Sequence, residues 1–160
     1  MDGMEKTTLL VAVVMERRAS ANRWQSEVWE PIGVLAGYEE AGGMRQLVNE
    51  ERMQQWLHPG FVLKLHREEA EGYYLNVSTD RPSVFVLWRL DEDRGLPLAV
   101  TASYNEAARW LDGGHSVDRV PMPPEVFAWV GGFVETHYRP EPRKRVKPRS
   151  FLHPKDRAAQ

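Results

Sequence analysis

The sequence predicts an α+β domain in which a curved, mostly antiparallel sheet of about six or seven strands packs against two helices in the C-terminal half. Several short runs alternate apolar and polar residues at the period of a half-buried strand, as in Phe61–His66. Two later stretches, Ser103–Leu111 and Pro124–His137, have helical spacing instead. From Arg139 onward the chain is basic and rich in proline, with too few apolar residues for a core, so we expect a disordered tail there.

The composition favours one compact domain. Of the 160 residues, 42% are hydrophobic and 28% are charged, which is enough for one core but not for two full domains. The absence of cysteine excludes disulfides, thiolate zinc sites and cysteine-held iron–sulfur clusters. No apolar run approaches the roughly 20 residues of a membrane helix. Met1–Lys6 carries acids where a signal peptide has a basic start, so we expect a cytoplasmic protein with no membrane span.

Charge is divided unevenly between the body and the tail. Residues 139–160 contain eight basic and two acidic residues, a net charge of +6 within a chain whose total is −2. Residues 1–138 therefore carry −8. We place the domain boundary at Tyr138, with a single α+β domain over residues 1–138 and the basic, proline-rich tail over residues 139–160.

Two strands are predicted near the N-terminus, at Thr8–Met15 and Val28–Leu35. Pro31 lies inside the second, which indicates an edge strand or a bulge, since proline donates no hydrogen bond to a neighbouring strand. The stretch Met44–Leu57 fits both the helical and the strand period. We expect a short helix that turns into a strand near Gln54.

A β-hairpin is predicted in the middle of the chain. Phe61–His66 and Tyr73–Val77 are interpreted as its two arms, because the charged segment Arg67–Gly72 between them ends in glycine. Val84–Trp88 is an unbroken apolar run rich in β-branched and aromatic residues. Such a run is typical of a central strand.

The C-terminal half of the body contains the clearest local signals. A strand at Pro97–Thr101 precedes a helix, in which Ser103 and Glu106 form a capping box and Gly113-Gly114 ends the helix. A further strand is predicted over His115–Val120. Pro123-Pro124 opens the second helix, whose apolar side is formed by Val126, Val130, Phe133, Val134 and His137.

Gly131 and Gly132 lie in the middle of this second helix, where each costs about 1 kcal/mol relative to alanine. We interpret the pair as a site of close backbone packing against a neighbouring element. The alternative is that an element of a partner protein lies there.

No residue pattern indicates a catalytic, metal or cofactor site. The five histidines show neither a His-x-x-x-His pair nor a carboxylate at metal-ligand spacing. His66 and Glu68 could pair as a general base and its orienting group, but charged turns at strand ends are usually only solvated. The sequence contains six tryptophans. Trp24, Trp29 and Trp110 are candidate anchors for a partner, since aromatic side chains dominate interface energetics.

The glycine-containing stretch from Leu35 to Arg45 shares some residues with the phosphate-binding loop of molybdenum-cofactor nucleotidyltransferases. The match fails in detail, because Tyr38–Ala41 separates the glycines and brings acids that repel a phosphate. An enzyme of cofactor biosynthesis is therefore a weaker alternative.

Several short segments resemble the bacterial domain of unknown function 3305. These are Arg23-Trp24, Trp29, Val34-Leu35, Leu63–Arg67, Tyr74–Asn76, Ser83–Val86, Val100–Ala107, Leu111–Gly113, Val120–Pro123 and Phe133–His137. Members of that family are typically encoded beside formate dehydrogenase subunits, and some are labelled as molybdopterin-guanine dinucleotide biosynthesis proteins. The resemblance implies a partner in the assembly or operation of a molybdenum- or tungsten-dependent formate dehydrogenase, and it supplies no catalytic residue.

The resulting expectation is a non-enzymatic accessory or adaptor protein that binds a formate dehydrogenase subunit or one of its assembly factors. The tryptophans named above would contribute to docking, together with the basic tail residues Arg143, Lys144, Arg145, Lys147 and Arg149, whose charge favours an acidic partner surface. The alternative is a protein whose tail binds a polyanion, either nucleic acid or an anionic membrane surface. A body of charge −8 opposes nucleic-acid binding.

Overall fold

The computed structural model describes residues 5–21, 26–37 and 43–140, which form seven strands, three α-helices and one short 3-10 helix at Arg67–Glu69. In chain order the elements are β1 (Thr8–Ala19), β2 (Glu27–Ala36), β3 (Arg45–Glu50), β4 (Met53–Lys64), α1 (Ala70–Val77), β5 (Ser83–Asp91), β6 (Arg94–Thr101), α2 (Tyr104–Asp112), β7 (Ser116–Pro121) and α3 (Pro124–His137). All strand pairs are antiparallel. The predicted α+β class is confirmed, although the strands divide into two sheets.

The first sheet has the strand order β2-β1-β4-β3 and is organised around β1. Residues Val11–Met15 of β1 are all buried, because this strand has a partner on each side and other elements over it. The register between β1 and β2 shifts between Val14 and Met15, and Met15 lies opposite Pro31. Pro31 therefore lies on an edge strand and beside a bulge, which confirms the interpretation of this proline.

The predicted short helix within Met44–Leu57 is wrong. The stretch forms β3 and the beginning of β4, which pair as an antiparallel hairpin from Arg45↔Leu57 to Glu50↔Met53. The apolar residues that suggested a helical face are not buried, since Met44 is 45% exposed and Leu47 is 47% exposed. Pairing with β4, rather than burial of a helical face, determines the structure of this stretch.

The predicted second arm of the central hairpin is also wrong, because Tyr73–Val77 belongs to helix α1. Ala70, Tyr73 and Asn76 are buried at a spacing of three residues, while Tyr74 and Leu75 are about 40% exposed. That spacing is helical. The run of apolar residues fitted either period, and the contacts of the buried side chains decide between them.

Val84–Trp88 lies in β5, the middle strand of the second sheet, whose order is β6-β5-β7. This confirms the predicted central strand. The buried side chain of Asn76 attaches α1 to this sheet: its Nδ2 donates to Ser83 O (2.7 Å) and Ala102 O (2.8 Å), and its Oδ1 accepts from Ser83 N (3.0 Å).

Helix α3 begins at Pro124, as predicted, and contributes its apolar side to the main core. Val126, Val130, Phe133 and Val134 are buried there beside residues of both sheets and α1. The interpretation of Gly131 and Gly132 as a close-packing site is wrong. A Cβ at either position would meet no heavy atom of the described residues within 4 Å.

The first described residues pack against the last helix. Trp129 Nε1 donates to Lys6 O (2.9 Å), and His137 Nε2 lies 2.6 Å from Glu5 Oε1. The ring of Tyr138 stacks on Tyr74 of α1, with ring centroids 4.6 Å apart. Residues 141–160, and with them the prediction of a disordered tail, lie outside the described residues. Among the helices of the described residues, none has the length and apolar character to cross a membrane.

Candidate partner-binding groove

A groove of about 450 Å³ lies between β4, β6 and α2. Its apolar walls are formed by Phe61 and Val62 from β4, Leu98 and Val100 from β6, and Trp110 from α2. Val62 is 37% exposed and Leu98 is 43% exposed. An exposed apolar surface that includes an aromatic side chain is typical of a protein-binding site.

Strand edges border this groove on two sides. β3 pairs with β4 only as far as Leu57, so within the described residues the segment 58–64 of β4 pairs with β1 alone. β6 likewise pairs only with β5 among the described strands. Such edges present backbone N–H and C=O groups that can pair with an added strand. Within the described residues, the groove therefore lies beside two strand segments that each pair with one strand only, a setting in which an added strand can bind.

Lys64, His66 and Glu106 form the polar part of the groove. The hydroxyl of Tyr73 lies beneath this end, where it accepts from His66 N (2.9 Å) and donates to Lys64 O (3.2 Å). Burial raises the pKa of Tyr73 to about 12, so the phenol is protonated at neutral pH. Its position and its bonds give it a structural role, because it connects the end of β4 to α1.

The position of Trp110 depends on how helix α2 begins. Ser103 Oγ accepts from Glu106 N (3.0 Å) and donates to Glu69 Oε1 (2.7 Å). Arg109 Nη2 lies 2.9 and 3.0 Å from the two oxygens of that same carboxylate, and this contact raises the pKa of Arg109. The predicted cap by Ser103 is confirmed. The reciprocal contact of a capping box is absent, because Ser103 N donates to Thr101 Oγ1 (3.0 Å).

The candidate acid–base pair of His66 and Glu68 does not form. Both residues are described, and no hydrogen bond or ion pair joins their side chains. Within the described residues there is also no group of three or more His, Cys, Asp or Glu side chains that could hold a metal ion. His58 lies just before the groove, and burial together with the charge of Arg94 lowers its pKa.

The structure separates the three candidate tryptophans. Trp110 lines the groove. Trp29 is only 9% exposed, and its ring stacks on Trp56 with centroids 5.1 Å apart. Its Nε1 donates to Glu27 Oε1 (3.2 Å), so Trp29 is part of the fold and offers little surface to a partner. Trp24 lies outside the described residues.

The basic tail residues proposed for docking also lie outside the described residues: Arg143, Lys144, Arg145, Lys147 and Arg149. The described chain leads toward them through Arg139, whose Nη1 donates to Glu135 O (2.8 Å) at the end of α3. The tail therefore begins beside α3 and α1, where Tyr138 stacks on Tyr74.

In the described residues, the glycine-containing stretch Leu35–Arg45 lies between two strands. Ala36 ends β2 and Arg45 begins β3, and these are the two outer strands of the same antiparallel sheet. The next element after β2 in the described residues is thus a strand and not a helix. A phosphate-binding loop of the kind considered above requires the N-terminus of a following helix.

Sequence analysis did not find the groove, because one wall comes from β4 and the others come from β6 and α2, more than 30 residues later in the chain. Their relation depends on which strand edges lack a partner, and this follows from the pairing of the whole fold. The usable signal was the presence of Val62 and Leu98 at strand positions that alternate with buried residues such as Leu63 and Pro97. Apolar residues on the outer face of a strand indicate a surface that another element covers.

Comparison with protein families gives a match over most of the chain. The family model described as "Protein of unknown function (DUF3305)" matches residues 10–147. This range includes every helix and all strands except the first two residues of β1, and it extends over Arg143, Lys144, Arg145 and Lys147. No curated protein and no solved structure matches the chain significantly. The match covers most of the chain, and the protein therefore belongs to the DUF3305 family.

Proposed function

We propose that this protein is a non-enzymatic accessory protein that binds a subunit or an assembly factor of a molybdenum- or tungsten-dependent formate dehydrogenase. The observation that carries the binding role is the apolar groove between two strand edges, with Trp110 in its wall. The identity of the enzyme rests on the family resemblance, since members of the family are typically encoded beside formate dehydrogenase subunits.

The groove favours an extended segment of the partner. Backbone pairing with the edge of β4 or β6 would provide affinity, and alternate side chains of the segment would contact Phe61, Val100 and Trp110. The rim residues Lys64 and Glu106 provide one charge of each sign. Such a rim fixes orientation more than it adds affinity.

The basic tail would act by a different route. Its charge of +6 increases the rate of association with an acidic partner surface, and this contribution falls as the salt concentration rises. The two contributions predict different responses to salt, because apolar contacts in the groove depend little on ionic strength.

Co-purification tests the proposal. Tagged full-length protein and a form that stops after Tyr138 are captured from cells that express the formate dehydrogenase, at low and at high salt. We expect formate dehydrogenase subunits with the full-length protein, and weaker, less salt-sensitive retention with the shortened form. Nucleic acid retained in their place would favour the polyanion alternative, whereas nucleotide binding by the shortened form would favour the enzyme alternative.

Two substitutions test the groove itself. Leu98 lines the groove and is 43% exposed, so Leu98→Arg should abolish capture of the subunits without unfolding the protein. Leu111→Arg is the matched control, because Leu111 is 55% exposed and does not line the groove. Trp110→Ala should weaken capture as Leu98→Arg does. Equal capture by Leu98→Arg and Leu111→Arg would exclude the groove as the binding site.

A further inference from the structure

A second cavity lies on the opposite edge of the second sheet, where the turn before β5 meets β7. It has a volume of about 500 Å³ and is lined by Arg81, Pro82, Ser83, Arg119, Val120 and Pro121. None of these residues contributes to the groove between β4 and β6. The two prolines have restricted backbones, so the walls of this cavity are stiff.

The guanidinium of Arg119 is held in one orientation. Its Nε donates to Ser83 Oγ (3.0 Å) and its Nη2 donates to Arg81 O (2.7 Å). Ser83 Oγ in turn donates to Arg81 O (2.9 Å). A guanidinium has five N–H groups, of which these contacts use two. Among the described residues, both N–H groups of Nη1 and one of Nη2 have no hydrogen-bond acceptor.

Arg81 and Arg119 are the two cationic residues that line this cavity. Within the described part of the chain, no carboxylate forms an ion pair with Arg81 or Arg119. Asp118, the neighbour of Arg119 in sequence, accepts a hydrogen bond from Trp88 Nε1 (2.7 Å). Two cationic side chains thus line one cavity, and no described carboxylate pairs with either of them. A guanidinium that is held in position can bind a planar oxyanion through two hydrogen bonds.

Apolar surface continues from this cavity. Pro82 also lines a shallower cavity of about 480 Å³, together with Val77, Met122, Pro124 and Phe127. Phe127 is 43% exposed. A ligand whose anionic group lies at the arginines would therefore place its neighbouring atoms on an apolar surface, which favours an acidic peptide with an adjacent apolar side chain over a free inorganic anion.

We propose that the cavity between Arg81 and Arg119 binds a carboxylate of a peptide segment, whose adjacent apolar side chain packs on Pro82 and Phe127. This inference does not depend on the groove or on formate dehydrogenase. It rests on the fixed guanidinium, on two arginines that no described carboxylate pairs with, and on the position of Pro82 in both cavities.

The test uses N-acetyl-Phe-Asp-amide as the probe and N-acetyl-Phe-Asn-amide as its neutral counterpart, added to full-length protein. Binding is followed by NMR through the Nε–H signal of Arg119 and the amide signals of Ser83 and Val120. We expect saturable shifts with the Asp peptide and at least about tenfold weaker binding of the Asn peptide, because the charged hydrogen bonds are lost.

Three variants complete the test. Arg119→Lys keeps the positive charge but removes the planar set of N–H donors, and it should weaken binding of the Asp peptide about tenfold or more. Arg81→Gln should also weaken binding, and among the described residues the Arg81 side chain makes no hydrogen bond that this substitution would remove. Arg89→Gln removes the same charge from an exposed arginine of β5 that does not line the cavity, and it should leave binding unchanged.

Three outcomes would overturn the proposal. Equal binding of the Asp and Asn peptides would show that the carboxylate contributes nothing to binding. An equal loss in Arg89→Gln and Arg81→Gln would indicate general electrostatic attraction. Tighter binding of inorganic phosphate than of the Asp peptide would assign the cavity to a different class of ligand.

Discussion

Gly72 of α1 and Ser103 at the start of α2 are in direct contact. A Cβ at position 72 would overlap Ser103 Oγ and would lie 3.1 Å from Ser103 Cβ and 3.2 Å from Asn105 N. Ser103 is fully buried, and its hydroxyl bonds both to Glu69 and to the backbone of α2. Glycine is therefore required at position 72, because the two helices approach more closely than any side chain permits.

Gly72→Ala should destabilise the protein, although alanine is the better helix former. The added methyl group forces α1 away from Ser103, and overpacking of this kind costs about 1–3 kcal/mol. The free energy of unfolding from urea denaturation measures the effect. An unchanged or higher stability would show that α1 and α2 can separate without loss.

Gly132→Ala is the matched substitution in α3, and it should have the opposite sign. A Cβ at this position meets no atom of the described part of the chain within 4 Å, so we expect alanine to add no clash and to gain up to about 1 kcal/mol of helix propensity. The urea midpoint should rise. A decrease would indicate that another part of the chain or a second molecule contacts this side of α3.

Asn76→Ala should be among the most destabilising single substitutions in α1. Asn76 is only 1% exposed, and its side chain makes three hydrogen bonds to backbone atoms of Ser83 and Ala102. The substitution removes these bonds and leaves the backbone groups buried without those partners. The expected loss is about 3 kcal/mol or more. Asn105→Ala is the control, because its hydrogen bond to Glu71 is exposed, and its effect should be within about 0.5 kcal/mol.

Tyr73 should make stability fall at high pH. The unfolded phenol ionises near pH 10, whereas burial raises the pKa of Tyr73 in the folded protein to about 12. The contribution of the protonated Tyr73 to the free energy of unfolding is therefore fully present below about pH 10, and it is lost as the pH rises from about 10 to 12.

Urea denaturation between pH 9 and pH 11.5 measures this dependence. The variant Tyr73→Phe has no phenol at this position, so its stability should fall less steeply over the same range. Equal slopes for the two proteins would show that Tyr73 ionises as readily in the folded state as in the unfolded chain.

Local sequence predicted those elements whose signals are local. The cap at Ser103, the glycines after α2, the proline at the start of α3 and the unbroken apolar run of β5 each act within a few residues, and each was confirmed. The errors occurred in segments whose secondary structure depends on contacts with residues distant in sequence. β3 depends on pairing with β4, and α1 depends on the bonds that Asn76 makes to residues up to 26 positions away.

The candidate site was only partly predictable for the same reason. Trp110 was a candidate anchor because it is aromatic, whereas the groove that it lines depends on edges of two different sheets. Trp29 is buried against Trp56 and the backbone of Gly95, which are far from it in sequence. Its burial therefore could not be predicted from the residues around it.

The contact of Glu5 with His137 places the first described residue beside the end of α3. Because these side chains meet at 2.6 Å, a short glycine-serine connection could join the two ends, and new termini could be opened at the turn that contains Gly114. Such a circular permutant would allow the cationic segment to be attached at a different place on an unchanged body. Comparing the two arrangements would distinguish a segment that acts through its charge alone from one that acts through where it is anchored.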